Sequence, residues 1–170
     1  IKRGAKIYCE LAGYGAASHA YNVVATHPEG LGAVLAMEGG MADAGVSPDE
    51  VNYINAHATS TSIGDISECK AIEKVFGEHN LGKISISATK SSTGHMLGAA
   101  GAIEAIACIK SIETGLVHPT INLNEVDPGL NPNFDFTPLK ARQREVNVVL
   151  NNTFGFGGHA VTTVFKKLKV

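Results

Sequence analysis

The sequence predicts an α/β domain in which helices cover both faces of a mixed, largely parallel sheet. Segments of strand character alternate along the chain with segments of helical periodicity, in the order β-α-β-α-β-α-β-β, and such alternation is typical of sheets packed between helices. Glycine is frequent, at 19 of 170 residues, while only 18% of residues are charged. This composition favours a buried sheet whose backbone comes close to a ligand. The length corresponds to one domain or to half of a two-domain enzyme.

The composition also excludes several classes of protein. Fourteen basic and 16 acidic side chains give a net charge of −2, which argues against nucleic-acid binding driven by net charge. Hydrophobic residues make up 44% of the chain, yet no apolar run reaches the roughly 18 residues of a membrane span, and no signal peptide is recognisable. We therefore expect a soluble cytoplasmic protein with neither a nucleic-acid nor a membrane partner.

The cysteines indicate a reducing compartment. They are three in number and far apart, without the spacing of a metal site, so we expect neither a disulfide framework nor a bound metal. They are Cys9, Cys69 and Cys108.

The first strand and the first helix are predicted near the start of the chain. The segment 5–15 is rich in β-branched and aromatic residues, and we expect the strand to end near Gly13, where Gly-Tyr-Gly signals a loop. Between Pro28 and the stop signal at Gly45, apolar residues recur at helical spacing and predict one buried helix face. That face comprises Leu31, Val34, Leu35, Met41 and Ala42.

A second strand and helix follow. A turn at 47–50 leads into a short apolar strand over 51–57, which places His57 at the strand's end. Asp65 is predicted to cap a helix over 66–79 whose apolar positions repeat at helical spacing, with Glu68 on the more solvated side.

The third strand is predicted over 83–88, and a polar loop over 89–95 follows it. The next segment, 96–112, has small and apolar residues on every side, which is typical of a helix buried deep in a protein. Glu104 is its only acid. The Asn- and Pro-rich segment 119–135 is predicted to be a surface connection. A final strand pair over 146–151 and 160–165 is joined through a glycine-rich loop.

Three polar loops follow apolar strands in this arrangement, at 55–61, 89–95 and 152–158. Because strand ends meet at one edge of such a sheet, two imidazoles, an ammonium group and four threonine hydroxyls can converge on one pocket. Such donors suit an oxyanion or a polar ligand. From spacing alone, however, a histidine at a strand end is more often structural than functional, so both interpretations stay open at this point.

The motifs in these loops resemble a known family. NAHATSTSIGD (55–65), TKSSTGHMLGAAGAIE (89–104) and NNTFGFGGHA (151–160) closely resemble the C-terminal half of the β-ketoacyl-[acyl-carrier-protein] synthases, in particular the type II elongating condensing enzymes. The resemblance begins at KIYCELAGYG and covers nearly the whole chain. It implies a thiolase-like fold and a decarboxylative Claisen condensation in fatty acid biosynthesis, in which the enolate of a decarboxylated malonyl thioester attacks an acyl group held on a cysteine.

The resemblance also implies roles for individual residues. His57 and His95 stabilise the enolate as it forms. Lys90 and Glu104 form a buried ion-pair network beside them. Phe156 supplies the backbone N–H of the thioester oxyanion hole, and its ring gates acyl entry.

Substrate contacts are implied for the loop residues around these groups. Thr59 and Thr61 match hydroxyls that bind the phosphopantetheine arm of the acyl carrier protein, and Phe154, Gly155 and Gly157 belong to the mobile glycine-rich loop. The arm serves as the substrate carrier. No covalently bound cofactor and no metal are expected.

The nucleophilic cysteine of the family is missing from this sequence. In the family it lies in a motif such as TACSS in the N-terminal half, and no such motif occurs here. We therefore expect residues 1–170 to be the C-terminal half of a longer enzyme, inactive alone. Its expected partners are the acyl carrier protein, the N-terminal half and a second copy of the chain, because the apolar helix 96–112 needs a cover.

Some positions depart from the family pattern. Ala58 stands for the usual Gly and Ser62 for the usual Pro, and His159-Ala160 replaces a common Thr-Asn pair. Asn22 and Val24 stand where a His and a Thr are common near the pantetheine entrance. These two changes remove polar groups near that entrance.

Two alternatives remain from the sequence. The chain can be a thiolase acting on coenzyme A, or a non-catalytic domain that binds an acyl carrier or a partner half. Basic residues at both ends, Lys2, Arg3, Lys6 and the segment 166–169, can attract an acidic carrier protein.

Overall fold

The computed structural model describes residues 2–168, so Lys169 of the basic C-terminal segment lies outside the described residues. Its strands are β1 Glu10–Ser18, β2 Tyr53–Asn55, β3 Ser85–Ser87, β4 Leu116–Val117, β5 Arg142–Gln143, β6 Val148–Gly155 and β7 His159–Lys166. Its helices are α1 Leu31–Ala44, α2 Gly64–Phe76, α3 Glu78–Leu81, α4 Lys90–Thr93 and α5 Ala100–Thr114. Short 3₁₀ turns occupy Pro48–Glu50, Leu97–Ala99 and Phe156–Gly158.

Five strands form one mixed sheet in the order β1-β7-β6-β2-β3. Strand β2 runs parallel to β3 and β6, while β7 runs antiparallel to β6 and β1. Strands β4 and β5 pair separately. The predicted mixed sheet is thus confirmed, but the prediction that it is largely parallel is wrong, because two of its four strand pairs are antiparallel and these are the longer ladders. The last hairpin is also longer than the sequence pattern indicated.

Helices cover both faces of this sheet, as predicted. Because side chains alternate between the two faces of a strand, Ile54 and Leu150 face one core, which they share with α1 and α2. Their neighbours Tyr53 and Val149 face the opposite core, which they share with α5.

The first strand differs from its prediction. It does not end near Gly13 but continues through Gly-Tyr-Gly to Ser18. A Cβ atom on Gly15 would lie 2.0 Å from the carbonyl oxygen of Ala36, and one on Gly13 would lie 2.5 Å from that of Gly40. The glycines therefore allow α1 to pack closely on β1 and do not form a turn.

The buried face of α1 also differs from the prediction. Leu31, Leu35 and Ala42 are exposed, whereas most of the buried positions are occupied by small residues. Where α1 comes closest to β1, at Ala36 and Gly40, there is room only for small residues. Its buried residues are Gly32, Ala33, Val34, Ala36, Met37, Gly40 and Met41.

Helix α2 begins one residue before Asp65, and Ile63 occupies its N-cap position, so the predicted capping role of Asp65 is wrong. The helix ends at Phe76, and α3 follows as a separate turn. The solvated position predicted for Glu68 is also wrong, because Glu68 is only 4% exposed.

Helix α5 begins at Ala100 and not at Met96. Burial on every side is not observed in residues 2–168, because Leu97 is 78% and Ile106 is 55% exposed. The fully buried positions all lie on one side of the helix, against the sheet; they are Ala100, Glu104, Cys108, Ser111 and Ile112.

The connection between β4 and β5 is largely irregular, as predicted for 119–135. Within residues 2–168, none of the helices combines the length and the apolar character that crossing a membrane requires.

Candidate active site

Two histidines meet at the edge of the sheet where β2 and β3 end. His57 follows β2 by two residues, and His95 follows α4, which itself follows β3. Their rings are perpendicular, with centroids 5.7 Å apart. The structure thus brings together two side chains that the sequence placed in separate loops.

Backbone hydrogen bonds fix the tautomer of both rings. The N–H of Phe154 donates to Nδ1 of His57 at 3.2 Å, and the N–H of Leu97 donates to Nδ1 of His95 at 3.2 Å. A neutral imidazole that accepts at Nδ1 carries its proton on Nε2. Each ring therefore keeps an Nε2–H donor that these backbone contacts do not use.

His57 is held in its neutral form. Burial, the positive charge of Lys90 and the neighbouring His95 together lower its pKa to about 3, and burial contributes most. Since burial disfavours the charged form of an imidazole, His57 acts as a neutral hydrogen-bond donor at physiological pH.

Glu68 fixes the backbone of the His57 loop. Its Oε1 and Oε2 accept the N–H groups of His57 and Ala58, each at 2.9 Å, and Oε1 also accepts Nδ2–H of Asn152 at 3.1 Å. Burial raises the pKa of Glu68, and these hydrogen bonds oppose the rise. This residue was not among the predicted site residues, although its four-residue spacing from Ile72 places it on the buried face of α2.

The His57 loop contains residues with left-handed backbone. Ala58 has a φ of 31° and Ser60 a φ of 61°, a region that costs energy for residues other than glycine. Ala58 is the position where the family pattern has glycine. The N–H of Ser60 donates to the carboxylate of Asp65 at 3.1 Å, which supports this turn.

Lys90 and Glu104 form the predicted ion pair. Nζ of Lys90, at the start of α4, donates to Oε1 of Glu104 in α5. Their side chains are only 5% and 2% exposed. A buried pair of this kind is costly to break on one side, because the remaining charge loses its partner.

A cavity of about 680 Å³ opens beside these groups. Thr59, Thr61, Lys90 and His95 all line it, and the hydroxyl oxygens of the two threonines are 3.4 Å apart. The apolar part of its lining includes Ile72, Ile86 and Phe136. The cavity therefore suits an extended ligand with both polar and apolar groups.

The glycine-rich loop passes the same histidine. The ring of Phe154 lies 5.2 Å from that of His57, whereas Phe156 is 76% exposed at the start of a 3₁₀ turn. Gly155 ends β6. Gly157 has a φ of 78°, and its N–H donates to the carbonyl oxygen of Val23 at 2.7 Å.

The loop that departs from the family pattern presents an apolar surface. Oδ1 of Asn22 accepts the N–H groups of Val24 and Ala25 at 2.9 and 3.0 Å. The carboxamide oxygen of Asn22 thus stabilises its own loop. The side chain of Val24 is 64% exposed.

None of the three cysteines in the described residues is poised as a thiolate. Burial raises the pKa of Cys9, Cys69 and Cys108, and the thiolate is the form that acts as a nucleophile. All three are free thiols. The arrangement as a whole can stabilise negative charge on an oxygen, through the Nε2–H donors of His57 and His95 and a nearby ammonium group.

Comparison with known proteins places these observations in a wider context. Residues 8–124 match the family model described as "Beta-ketoacyl synthase, C-terminal domain". The chain is 46% identical over 167 residues to 3-oxoacyl-[acyl-carrier-protein] synthase 2 of Synechocystis sp., covering 98% of this chain and 39% of that protein. It is 45% identical over 168 residues to the chloroplastic 3-oxoacyl-[acyl-carrier-protein] synthase II of Arabidopsis thaliana, covering 99% of this chain and 30% of that protein.

Solved structures agree with these matches. The complex AntDE:AntF, a type II polyketide acyl-carrier protein with its ketosynthase bound to the hexaketide, superposes with a TM-score of 0.93 at 38% identity. A β-ketoacyl synthase from Burkholderia phymatum STM815 superposes with a TM-score of 0.90 at 36% identity. Each match covers 99% of this chain and 40% of the solved chain. The chain thus spans well under half the length of the proteins that it matches.

Proposed function

Because this chain belongs to the β-ketoacyl synthase family, as its C-terminal domain, we propose that it forms the decarboxylating part of a 3-oxoacyl-[acyl-carrier-protein] synthase. The fold is the thiolase-like fold of ketosynthases, as the sequence predicted. The observation that supports the proposal most directly is the pair formed by His57 and His95, with both Nδ1 atoms occupied by backbone N–H groups.

The histidines act on the malonyl thioester. Their Nε2–H groups donate to its carbonyl oxygen while the bond to the carboxylate carbon breaks and CO₂ leaves. The electron pair of that bond forms the enolate, so negative charge grows on the oxygen that the donors contact. Removing one such donor in other enzymes costs about 10²- to 10³-fold in rate.

The enolate carbon then attacks the acyl thioester. A carbon–carbon bond forms, the carbon–sulfur bond breaks, and the cysteine leaves as a thiolate. We assign that cysteine to the part of the relatives that this chain does not span, because the three thiols of this chain have raised pKa values. The backbone N–H of Phe156 is assigned to the oxyanion hole of this step, and its exposed ring to the gate for the acyl chain.

Lys90 supports the histidines electrostatically. Its charge favours the neutral form of His57, and Glu104 holds the ammonium group in place. The ion pair thus preserves the donor form that decarboxylation needs.

The cavity beside His95 is assigned to the phosphopantetheine arm of the acyl carrier protein. Thr59 and Thr61 line its polar side, where they suit the amides of the arm. The solved complex of an acyl-carrier protein with its ketosynthase supports a carrier protein as partner.

We propose two further partners for the exposed apolar surface. We assign the exposed side chains of Leu97 and Ile106 to contacts with the N-terminal part of the enzyme or with a second copy in a homodimer. The free thiols fit a cytoplasmic location.

The proposal is tested by assaying decarboxylation of malonyl-carrier protein, with acetyl-carrier protein measured by intact mass. The chain is assayed alone and after addition of a separately expressed N-terminal part that carries the nucleophilic cysteine. We expect activity only on mixing and a loss of about 10²-fold or more in His57→Ala and His95→Ala. His79→Ala, at an exposed histidine outside the site, serves as the control.

Activity that survives both histidine substitutions would contradict the mechanism. Carrier binding without decarboxylation in the mixture would favour the non-catalytic alternative, a domain that only binds the carrier or a partner half. We do not propose the thiolase alternative, because the relatives are named as acyl-carrier-protein synthases.

A further inference from the structure

We infer that His118 is a positioning residue that fixes the strand ends carrying His57 and Lys90. The inference rests on the proposed function, since it concerns the same site. His118 does not line the cavity and lies in the connection that follows β4. It acts on the site through other side chains.

The ring of His118 is the centre of a cluster of hydroxyl groups. Its Nε2 lies 2.9 Å from Oη of Tyr53, 2.9 Å from Oγ1 of Thr89 and 3.2 Å from Oγ of Ser87. Its Nδ1 lies 3.2 Å from the carbonyl oxygen of Pro119. One imidazole thus connects the beginning of β2 with the end of β3.

Hydrogen bonds extend from this cluster across the sheet. Oγ1 of Thr89 donates to Oδ1 of Asn55 at 2.6 Å, and Nδ2 of Asn55 donates to Oδ1 of Asn151 at 2.8 Å. Nδ2 of Asn151 then donates to the carbonyl oxygen of Gly101 in α5 at 3.2 Å. The chain of contacts therefore reaches β2, β3, β6 and α5.

The members of this network lie next to the proposed catalytic groups along the chain. Thr89 directly precedes Lys90, and Asn55 lies two residues before His57. Gly101 lies three residues before Glu104 in the same helix. A shift of the network would thus move both the imidazole and the ion pair.

Burial makes the network depend on His118. Tyr53 and Asn55 are 0% exposed, and Thr89 is 5% exposed, so bulk water does not reach their side chains to replace a lost partner. Burial lowers the pKa of His118, although the hydrogen bond to the carbonyl oxygen of Pro119 and the charge of Glu104 oppose the decrease.

The inference is tested by replacing His118 in the intact protein that contains this chain. His118→Phe keeps the volume and aromatic shape but removes the hydrogen bonds, while His118→Gln keeps polar groups that can bond to Tyr53 and Thr89. His79→Gln is the matched control, because His79 is an exposed histidine outside the network. The readouts are kcat and KM for malonyl-carrier decarboxylation, the melting temperature, and the pKa of His57 from NMR of labelled histidine.

We expect kcat to fall about 10- to 100-fold in His118→Phe, since small displacements of catalytic groups have effects of this size. KM should stay within about twofold, because Thr59 and Thr61, which are assigned to the phosphopantetheine arm, lie outside the network. The pKa of His57 should rise from about 3 as Lys90 moves away. His118→Gln should recover most of kcat and restore the low pKa.

A second experiment combines His118→Phe with Thr89→Val and compares the double variant with each single variant. If His118 acts through Thr89, the double variant loses no more activity than the more affected single variant. Fully additive losses, or a kcat and a His57 pKa that do not change in folded His118→Phe, would overturn the inference. The inference would also be overturned if the fall in kcat of the variants paralleled their fall in melting temperature and His118→Gln did not recover kcat.

The NMR readout separates this inference from the proposed function. If the unmodified intact protein does not decarboxylate malonyl-carrier protein, the proposed function fails. The response of the His57 pKa to His118→Phe still decides whether His118 positions the site.

Discussion

Glu68 binds the backbone of His57 but not its ring. The carboxylate accepts the N–H of His57 at 2.9 Å, whereas Nδ1 of the ring accepts a backbone N–H from Phe154. A carboxylate on the ring itself would raise the pKa of the imidazole. Because Glu68 engages the backbone instead, the loop is held firmly while burial keeps the imidazole neutral.

The stability of the protein should fall between pH 7 and pH 5, in part because of His57. Its pKa is about 3 in the folded state and about 6.5 in an unfolded chain. Between these values the unfolded state binds the extra proton, so folding stability decreases as pH falls. For His57 alone the loss is about 2 kcal/mol between pH 7 and pH 5.

This pH dependence is measured by urea unfolding of the wild type and of His57→Gln at both pH values. The variant should lose less stability than the wild type over the interval. Equal losses in the two proteins would show that His57 titrates normally. His79→Gln corrects for the general effect of removing a histidine.

Breaking the Lys90–Glu104 pair on one side should destabilise the protein strongly. Lys90→Met leaves the buried carboxylate of Glu104 without its cation, and we expect a loss of about 3–5 kcal/mol. The double variant Lys90→Met/Glu104→Leu should recover most of this stability, because no buried charge remains. Denaturant titration of the three proteins tests the expectation, and a double variant less stable than Lys90→Met would contradict it.

Ala58→Gly should stabilise the protein or leave its stability unchanged. Ala58 has a φ of 31°, which glycine adopts without the steric cost of a Cβ atom. We expect a gain of up to about 1 kcal/mol. The control Ala107→Gly, in the interior of α5, should lose about 1 kcal/mol. Thermal unfolding compares the two, and similar losses at both positions would argue against strain at Ala58.

Gly15→Ala should destabilise the contact between β1 and α1. The new Cβ would meet the backbone of Ala36 at 2.0 Å, so the helix must move, at an expected cost of about 3 kcal/mol. Gly39→Ala is the control, because its Cβ would meet Gly15 Cα at an ordinary 3.6 Å. Because alanine is favoured over glycine inside a helix, Gly39→Ala should increase the free energy of unfolding by about 0.5–1 kcal/mol. Equal effects of the two substitutions in denaturant unfolding would contradict the close-packing explanation.

The chain alone should self-associate through its exposed apolar surface. Ile106 is 55% exposed on α5. A charged side chain at this position would oppose burial of the surface against a second copy. Light scattering over a concentration series should show larger species for the wild type and a shift toward monomer for Ile106→Glu. Lys110→Gln, at an exposed position on the same helix, should behave as the wild type. A monomeric wild type at all concentrations would refute the expectation.

The sequence predicted the elements that local patterns determine. Strands at the sheet centre and the helix around Ile72 follow from apolar periodicity, and the three site loops follow from their positions after strands. The close packing of Gly15 on α1 was missed, because Gly-Tyr-Gly is equally typical of a turn. The position of α1 in the folded structure is needed to show that this segment is a closely packed strand and not a turn.

Side-chain partners were harder to predict than elements. The pair of Lys90 and Glu104 was expected from resemblance and is confirmed as an ion pair. Glu68 was missed because a carboxylate on a helix is usually solvated, and its backbone partners lie in a different segment of the chain. The network around His118 likewise joins residues 53, 55, 87 and 89, which no local pattern relates to a histidine after β4.

The hydrogen bond between Asn55 and Asn151 bears on how the chain finds its native pairing. The two residues are direct partners in the parallel ladder of β2 and β6, and both side chains are buried. A slip of β2 by one residue would turn its side chains to the opposite face and leave two buried carboxamides unmatched, at about 1–3 kcal/mol for each unsatisfied group. An apolar pair would tolerate such a slip far better. The asparagines therefore favour the native register of β2 against β6 over a register shifted by one residue.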